Sequence, residues 1–464
     1  MTVPKALDAP HEAPRIFGPA YRTATLGILL VITLVAFQGM SVSVIMPQVS
    51  EDLRALNLYG VSFSAFFIAS LFATVVAGLW ADRRGYALPF LAGLLLFVLG
   101  MALAGAATGK EMFLVARAVQ GLGAGPTIVA LYVMIARVYP QEVRPRVFAA
   151  LSAAWVLPSM IGPSVAGVVA QQFNWRWVFY GIIPLVVPAL VMLLPSLRRP
   201  ADDHEPSTGP RSRPFAMTVA ATATAAGGAA LLYGVEELSR APLTGALWCG
   251  AGLAALGYGL IRLLPPAALR FGRGLPTTVM MRGLFAAAFF GVNGFIPLAL
   301  TAVKGFSAVY AGIALTTGSL GWSAGSYYQS RREVEPHRRI RTGAVLVAAG
   351  IVLSVAAVVP GVSGWVAVPA WIVAGLGMGL AMPTINVTAL KQSPVNEQGA
   401  NSASLSVTDM LGSALALGIG GAVSNVVGHS PSQIAAGFGV ICAMLATVGL
   451  ITAALAARVA DHHT

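Results

Sequence analysis

The chain has 464 residues, of which 57% are hydrophobic and only 10% charged, against the roughly 25% charged residues of a soluble globular chain. That balance excludes a soluble enzyme or binding module and places the chain in lipid, so its net charge of +12 is not by itself a nucleic-acid footprint. The two cysteines, Cys249 and Cys442, each sit inside an apolar run and offer neither a disulfide framework nor metal-ligand spacing.

Residues 1–23 lack the basic start, short apolar core and small-residue site of a cleavable signal, so the first apolar run is expected to remain as a span. Fourteen runs follow, each close to the twenty residues that cross a hydrocarbon core about 30 Å thick. They cover 24–47, 59–80, 88–107, 112–137, 147–171, 176–196, 215–235, 245–265, 276–303, 308–329, 342–360, 365–390, 400–427 and 433–457. An even number puts both ends on one side. With the ends in the cytoplasm, only Arg54, Lys110, Arg176, Arg240 and Lys304 fall outside, Arg117 and Arg282 lie within spans, and 22 of the 29 Lys and Arg face inward. The positive-inside rule therefore predicts cytoplasmic termini, and the basic loops then meet anionic head groups.

Along the chain, Gln38, Ser41 and Ser43 are polar residues of the first span, able to line a cavity or to bond a neighbouring helix. The turn after the second span, GLWADRRGY, carries Gly78, Asp82, Arg83 and Gly85. The fourth span opens RAVQGLGAG; Arg117 is near enough to the outer end to snorkel, Gln120 lies one turn on along the same face, and the glycines favour close helix packing. In the fifth, LPSMIGPSVAG contains Gly162, Pro163 and Gly167; the proline removes a backbone donor and bends the helix. The tryptophans of NWRWVFYGIIP suit a membrane interface. Residues 197–214, LRRPADDHEPSTGPRSRP, read as a flexible cytoplasmic linker. The ninth span carries Arg282, and Asn293 flanked by Phe289, Phe290 and Phe295. An apolar cavity with few polar groups suits lipophilic or amphipathic cargo.

GLGAGPTIVALYVMIARVYPQEV (Gly121–Val143) lies over GLGMGLAMPTINVTALKQSPVNE (Gly375–Glu397) at a constant offset of 254 residues. The fourth span thus matches the twelfth, and the plan is six spans, an inserted pair and six spans. The predicted units are a tail (1–23), a six-helix bundle (24–196), the linker (197–214), the inserted pair (215–265), a second bundle (266–457) and a tail (458–464). Two related halves around a midplane site suit a carrier, because one half can rock against the other. Asp409 is the one acid deep in a span, about 14 Å from the cytoplasmic end. A charge there costs roughly 2.5–3.5 kcal/mol on insertion scales and is a functional candidate by default. It can load and release a proton as access alternates, pair with Arg282 (about 9 Å deep, on the same side of the membrane), or bind a cationic substrate.

Four stretches resemble signatures of the major facilitator superfamily. Gly78, Asp82, Arg83 and Gly85 match its loop between spans two and three, whose aspartate the resemblance implies is a conformational latch at the inner end of the halves, against the start of the thirteenth span. The corresponding loop of the second half, YYQSRREVEP, lacks the aspartate. Arg117 to Gly125 is similar to a fourth-span signature of proton-coupled members. Gly162, Pro163 and Gly167 match part of the exporter signature, where Pro158 and Ala166 replace glycines. The Trp-Arg-Trp segment is similar to one in the fourteen-span drug:proton antiporters. The chain departs from that subgroup at Gln38, nine residues before Pro47, where an acid is usual. Asp409 matches no family motif and stands on its depth alone.

The resemblance implies an all-α polytopic membrane protein of major facilitator fold, with 6+2+6 helices in two pseudo-symmetric halves, and no enzyme. The expected function is proton-coupled export of lipophilic or cationic drug-like compounds by alternating access, a route to antibiotic resistance. Alternatives are a lipid or metabolite exporter of the same fold and a non-transporting scaffold or sensor. Asp409, Arg117 and Arg282 are the proton-coupling candidates; Gln38, Ser41, Gln120, Asn293, Phe289 and Phe290 are the cavity candidates. No cofactor or metal is expected, the proton gradient being the driving force. The expected partners are the lipid bilayer, a small-molecule substrate and protons, without nucleic acid; a monomer in a bacterial cytoplasmic membrane is expected.

Overall fold

The computed structural model describes residues 16–19, 21–55, 57, 59–198, 214–332, 334–394 and 397–460, with backbone alone at 145 and 152. Most of the expected N-terminal tail, the linker and the last four residues therefore lie outside the described residues. The helices are α1 (Arg22–Asp52), α2 (Tyr59–Arg84), α3 (Ala87–Gly105), α4 (Lys110–Val138), α5 (Arg144–Gln172), α6 (Trp177–Tyr180), α7 (Ile183–Leu197), α8 (Pro214–Glu237) and α9 (Pro242–Leu263). They continue with α10 (Leu275–Lys304), α11 (Ala308–Arg331), α12 (Pro336–Val355), α13 (Ala367–Gln392), α14 (Gln398–Val427) and α15 (Pro431–Leu455). No strand occurs among the described residues.

Helix starts and stops follow local chemistry. Proline stands in the first turn of α8, α9, α10, α12 and α15, where a missing N–H costs nothing and φ is already helical. Ser430 and Gln433 close a capping box at the head of α15. Gly85 stops α2 at φ +77°, a conformation open to glycine and strained for other residues. That is a local reason for the glycine in the loop after the second span.

Among the described residues, thirteen segments are long and apolar enough to span a membrane, α6 and α7 counting as one. The expected tenth span, α11, is a 24-residue helix outside that set. Thr316, Thr317, Ser319, Ser323 and Ser326 make it too polar, and it is sheltered between α5 and α13. With α11 counted as a crossing, α1 begins and α15 ends on the same side, here called the terminal end.

The two halves repeat one packing scheme. α1 packs on α5 and α7, α2 on α4, and α3 on α4; in the second half α10 packs on α14 and α15, α11 on α13, and α12 on α13. The halves meet through α2 against α14 and α11 against α5, two seams that exchange under the same correspondence. α8 lies over the first seam, touching α2 and α14, while α9 packs almost wholly on α8. Helices apolar on every side gain little from burial against lipid, so close contact between small residues carries the packing. A Cβ on Gly60 would lie 2.3 Å from the Leu417 carbonyl oxygen and 2.6 Å from Gly421 Cα. Only glycine permits that approach of α2 to α14.

Candidate functional site

The seams are sealed at the end away from the termini. There Tyr59 donates to the Gly294 carbonyl at 2.7 Å, Ser64 to the Ala414 carbonyl at 2.7 Å, and Asn425 to the Asn57 carbonyl at 2.9 Å. Across the other seam, Ser164 and Thr316 hydroxyls lie 3.3 Å apart and Ser319 donates to the Ser159 carbonyl at 2.9 Å. Toward the terminal end the α2–α14 seam holds a bond from Thr74 Oγ1 to Met410 Sδ at 3.8 Å; beyond it, among the described residues, no side-chain hydrogen bond or ion pair joins the halves. Tyr327 is exposed there, and Val156 and Leu320 are exposed at mid-helix. The molecule is closed at the far end and parted at the terminal end. A crevice of about 510 Å³ remains outside the far-end seal, with Glu51 and His429 among its lining residues.

Asp409 and Arg282 meet midway along this space. Arg282 Nε donates to Asp409 Oδ1 at 2.7 Å, and its Nη1 donates to Asn386 Oδ1 at 3.0 Å. The two charged side chains keep 25% and 22% of their surface exposed. The pair is wetted rather than sealed in the core. Tyr132 on α4 is 45% exposed and lies close enough for the Arg282 charge to act on its hydroxyl. Tyr132 and Asn386 are separated by 254 residues, the offset of the internal repeat. Equivalent positions of α4 and α13 thus address Arg282 from the two halves.

An aromatic cluster lies deeper in the second half. Phe289 stacks on Trp371 at 4.7 Å between centroids, and both Trp322 and Phe290 stand edge-on to it, at 5.7 and 5.5 Å. Asn293 accepts from Trp371 Nε1 at 3.2 Å. These are offset-stacked and T-shaped geometries, in which ring edges meet ring faces.

The polar residues of the first half are buried. Gln38 is 1% exposed, and neither of its amide atoms has a hydrogen-bond partner. Arg117 donates to Gln120 through Nη1 and sits 4.6 Å over the Phe66 ring, while Arg117 Nε and Gln120 Nε2 are unpartnered. Arg117 therefore does not snorkel: at 3% exposure its guanidinium is turned inward against α2. Ser41 donates to the Gly162 carbonyl at 3.4 Å and links α1 to α5 rather than facing open space.

Pro163 and Gly167 lie on the seam itself. A Cβ on Gly312 of α11 would come 2.5 Å from the Pro163 carbonyl oxygen, and one on Gly167 would come 2.7 Å from the Ala308 carbonyl oxygen. Gly162 faces Phe37 and Ser41 instead. Gly78 adjoins nothing that a Cβ would touch. Asp82 and Arg83 are exposed and make no hydrogen bond or ion pair with α14 among the described residues, so the proposed latch is disengaged in this conformation.

A family model described as the Major Facilitator Superfamily matches residues 28–417. The chain belongs to that superfamily. It is 25% identical over 418 residues to the multidrug transporter protein MdtP of Bacillus subtilis, covering 86% of this chain and 74% of that one. It is 26% identical over 178 residues to the multidrug efflux pump SdrM of Staphylococcus aureus, an alignment spanning 38% of this chain and 40% of the pump. Among solved structures, a mutant of the peptide transporter POT matches with a TM-score of 0.67, 16% identity and 96% of both chains covered. The protein is thus a multi-pass membrane protein whose family and fold are those of transporters, not enzymes.

Sequence reasoning missed four residues at this superfamily member's candidate site. Tyr132 and Asn386 carried a signal, since both lie inside the aligned repeat as polar interruptions at matched positions. Trp322 and Trp371 carried none beyond their size. Among the described residues, no group of three His, Cys, Asp or Glu could hold a metal.

Proposed function

We propose that this protein is a proton-coupled exporter of lipophilic, drug-like compounds that works by alternating access, with the Arg282–Asp409 pair as its coupling element. The observation that carries the reading is the 2.7 Å contact between these charges, in the space between the halves. Protonating Asp409 removes its charge and frees Arg282; deprotonation restores the pair. A pair whose two arrangements differ by one proton can bias which end of the molecule opens. Phe289, expected to line the cavity, is 5% exposed and Trp371 1%, because each covers the other's face. The part-exposed Phe290 and Trp322 supply the stacking surface for apolar cargo, and Asn293 offers a polar contact. The multidrug names of the two bacterial relatives support the same substrate class.

The excess of Lys and Arg on the terminal side supports a cytoplasmic placement for that end, and hence an inward-open conformation. On this reading Asp82 re-engages the head of α14 when the terminal end closes, where an anion gains about 0.3–1 kcal/mol from the helix dipole. The test is uptake of lipophilic dyes into inside-out proteoliposomes under an imposed pH gradient. Accumulation that collapses with the gradient, and that Asp409→Asn abolishes, is the expected result; accumulation indifferent to both refutes coupling.

A further inference from the structure

A second recess, unrelated to the parted space between the halves, opens on the side of the second bundle. It encloses about 380 Å³ between α9, α10, α14 and α15. Its floor is recessed because α10 and α14 touch through glycine: a Cβ on Gly412 would lie 2.2 Å from the Gly283 carbonyl oxygen. Leu284, Ala287, Leu411, Leu415 and Met444 are among the side chains that line it, and Thr408 is its single polar side chain. On α10, Leu284 and Ala287 sit about 200° and about 140° around the helix from Arg282, and on α14 Leu411 and Leu415 sit about 200° and about 240° around from Asp409; neither member of the ion pair is among the lining residues. Along α14 it runs from Thr408 to Gly420, about 18 Å at helical rise. That slightly exceeds one leaflet of a hydrocarbon core about 30 Å thick.

The mouth of the recess is at the terminal end, where Leu264 and Met280 line it. Leu264 begins the connector between α9 and α10, and four arginines surround that connector. Arg262 and Arg270 flank its first turn, Arg273 precedes α10, and Arg458 is held against it by a bond from Gly274 N–H to the Arg458 carbonyl at 2.8 Å. Arg458 Nη1 donates to the Phe271 carbonyl at 3.3 Å, and Arg262 donates to the Tyr258 carbonyl at 3.2 Å while lying over the Tyr258 ring. None of the four pairs with a carboxylate among the described residues, and Arg270 and Arg273 have no side-chain partner there. The sequence contains no Asp or Glu between Glu237 and Glu333. Ala267 and Phe271 adopt φ of +65° and +51° around the single turn that presents Arg270.

We propose that this recess is a binding site for one anionic phospholipid, an acyl chain lying in the apolar channel and the phosphate held by the arginines of the α9–α10 connector. An apolar channel of leaflet length is suited to a chain and not to a soluble anion. A cluster of uncompensated arginines at its mouth, at head-group depth, suits a phosphate diester. The inserted pair thereby acquires a role: α9, packed on α8 and tied to α14 where Ser404 donates to the Leu263 carbonyl at 2.8 Å, forms the wall that turns the side of the bundle into a channel.

The full-length protein is delipidated in detergent and offered phosphatidylglycerol or phosphatidylcholine with identical chains, and retained lipid is counted by native mass spectrometry. One phosphatidylglycerol should remain bound, preferred at least tenfold over phosphatidylcholine. Ala287→Trp, which fills the channel, should abolish retention of both. Arg270→Gln with Arg273→Gln, two exposed changes that leave the packed helices untouched, should erase the head-group preference while phosphatidylcholine retention persists. Equal retention of the two lipids by the native chain would overturn the proposal, as would displacement by glycerol phosphate alone or an arginine variant with unchanged preference. Occupancy of the channel by a lipophilic dye in place of phospholipid would also overturn it.

Discussion

Replacing Arg282 with Gln and Asp409 with Asn, singly and together, isolates the interaction at the centre of the proposed mechanism. At 2.7 Å and an effective dielectric of about 20, the gross attraction is about 6 kcal/mol. Most of it is offset by the desolvation of both groups. Removing one partner of a fully buried pair costs about 3–5 kcal/mol. About a quarter of each side chain is exposed here, and water screens the pair, so a net coupling of about 0.5–3 kcal/mol is expected. Asn386 moderates the loss further, because it stays available to the guanidinium in Asp409→Asn. The assay is equilibrium unfolding in mixed detergent micelles, read as a double-mutant cycle. Each single variant should be destabilised, and the double variant, left with two neutral amides, should lose less than the sum by that coupling. Additivity within about 0.5 kcal/mol would mean that the contact has no energetic weight and would refute the reasoning.

Three further outcomes follow from the geometry. Gly312→Leu places a Cβ 2.5 Å from the Pro163 carbonyl oxygen; at about 2 kcal/mol of overpacking the far-end seal should open roughly thirtyfold more often, seen as faster maleimide labelling of a cysteine at Ser164 after Cys249 and Cys442 are replaced. Gln38→Leu removes a buried amide with no partner and should raise unfolding stability by about 1–3 kcal/mol while transport falls, a combination that a purely structural Gln38 would not produce. Asp82→Asn should leave the stability of this conformation within about 0.5 kcal/mol, since the carboxylate touches nothing on α14 here, yet slow turnover in single-turnover export measurements.

Much of the architecture was legible because lipid imposes it. A chain that crosses a membrane must satisfy its backbone internally, so run length alone located the helices to within a few residues. The glycine-rich repeat then set the correspondence between halves that the packing of α4 and α13 displays. Depth counted along the chain favoured Arg282 over Arg117 as the neighbour of Asp409, because rise per residue is constant in a helix. Rotation about each helix was not legible. A helix apolar on all sides has no stripe to read, and so the sequence did not show that Ser41 turns to α5, that Arg117 turns inward to Phe66, or that Phe289 stacks on Trp371. The break between α6 and α7 at Gly181–Ile182, ahead of Pro184, was likewise hidden inside one apolar run. Polarity misleads in the other direction at α11, which fails as an apolar span yet packs as a full helix, because its hydroxyls bond backbone carbonyls within the protein.

Alternating access is tested most directly by distances between spin labels in liposomes, one pair at Arg146 and Ser330 on the terminal end and another at Gln172 and Tyr310 on the far end. The account predicts that adding substrate with the terminal side alkaline shortens the first distance and lengthens the second together, that acidifying the far side reverses both, and that Asp409→Asn removes the proton response. Two distances that stay fixed, or that change independently of each other and of pH, would contradict it.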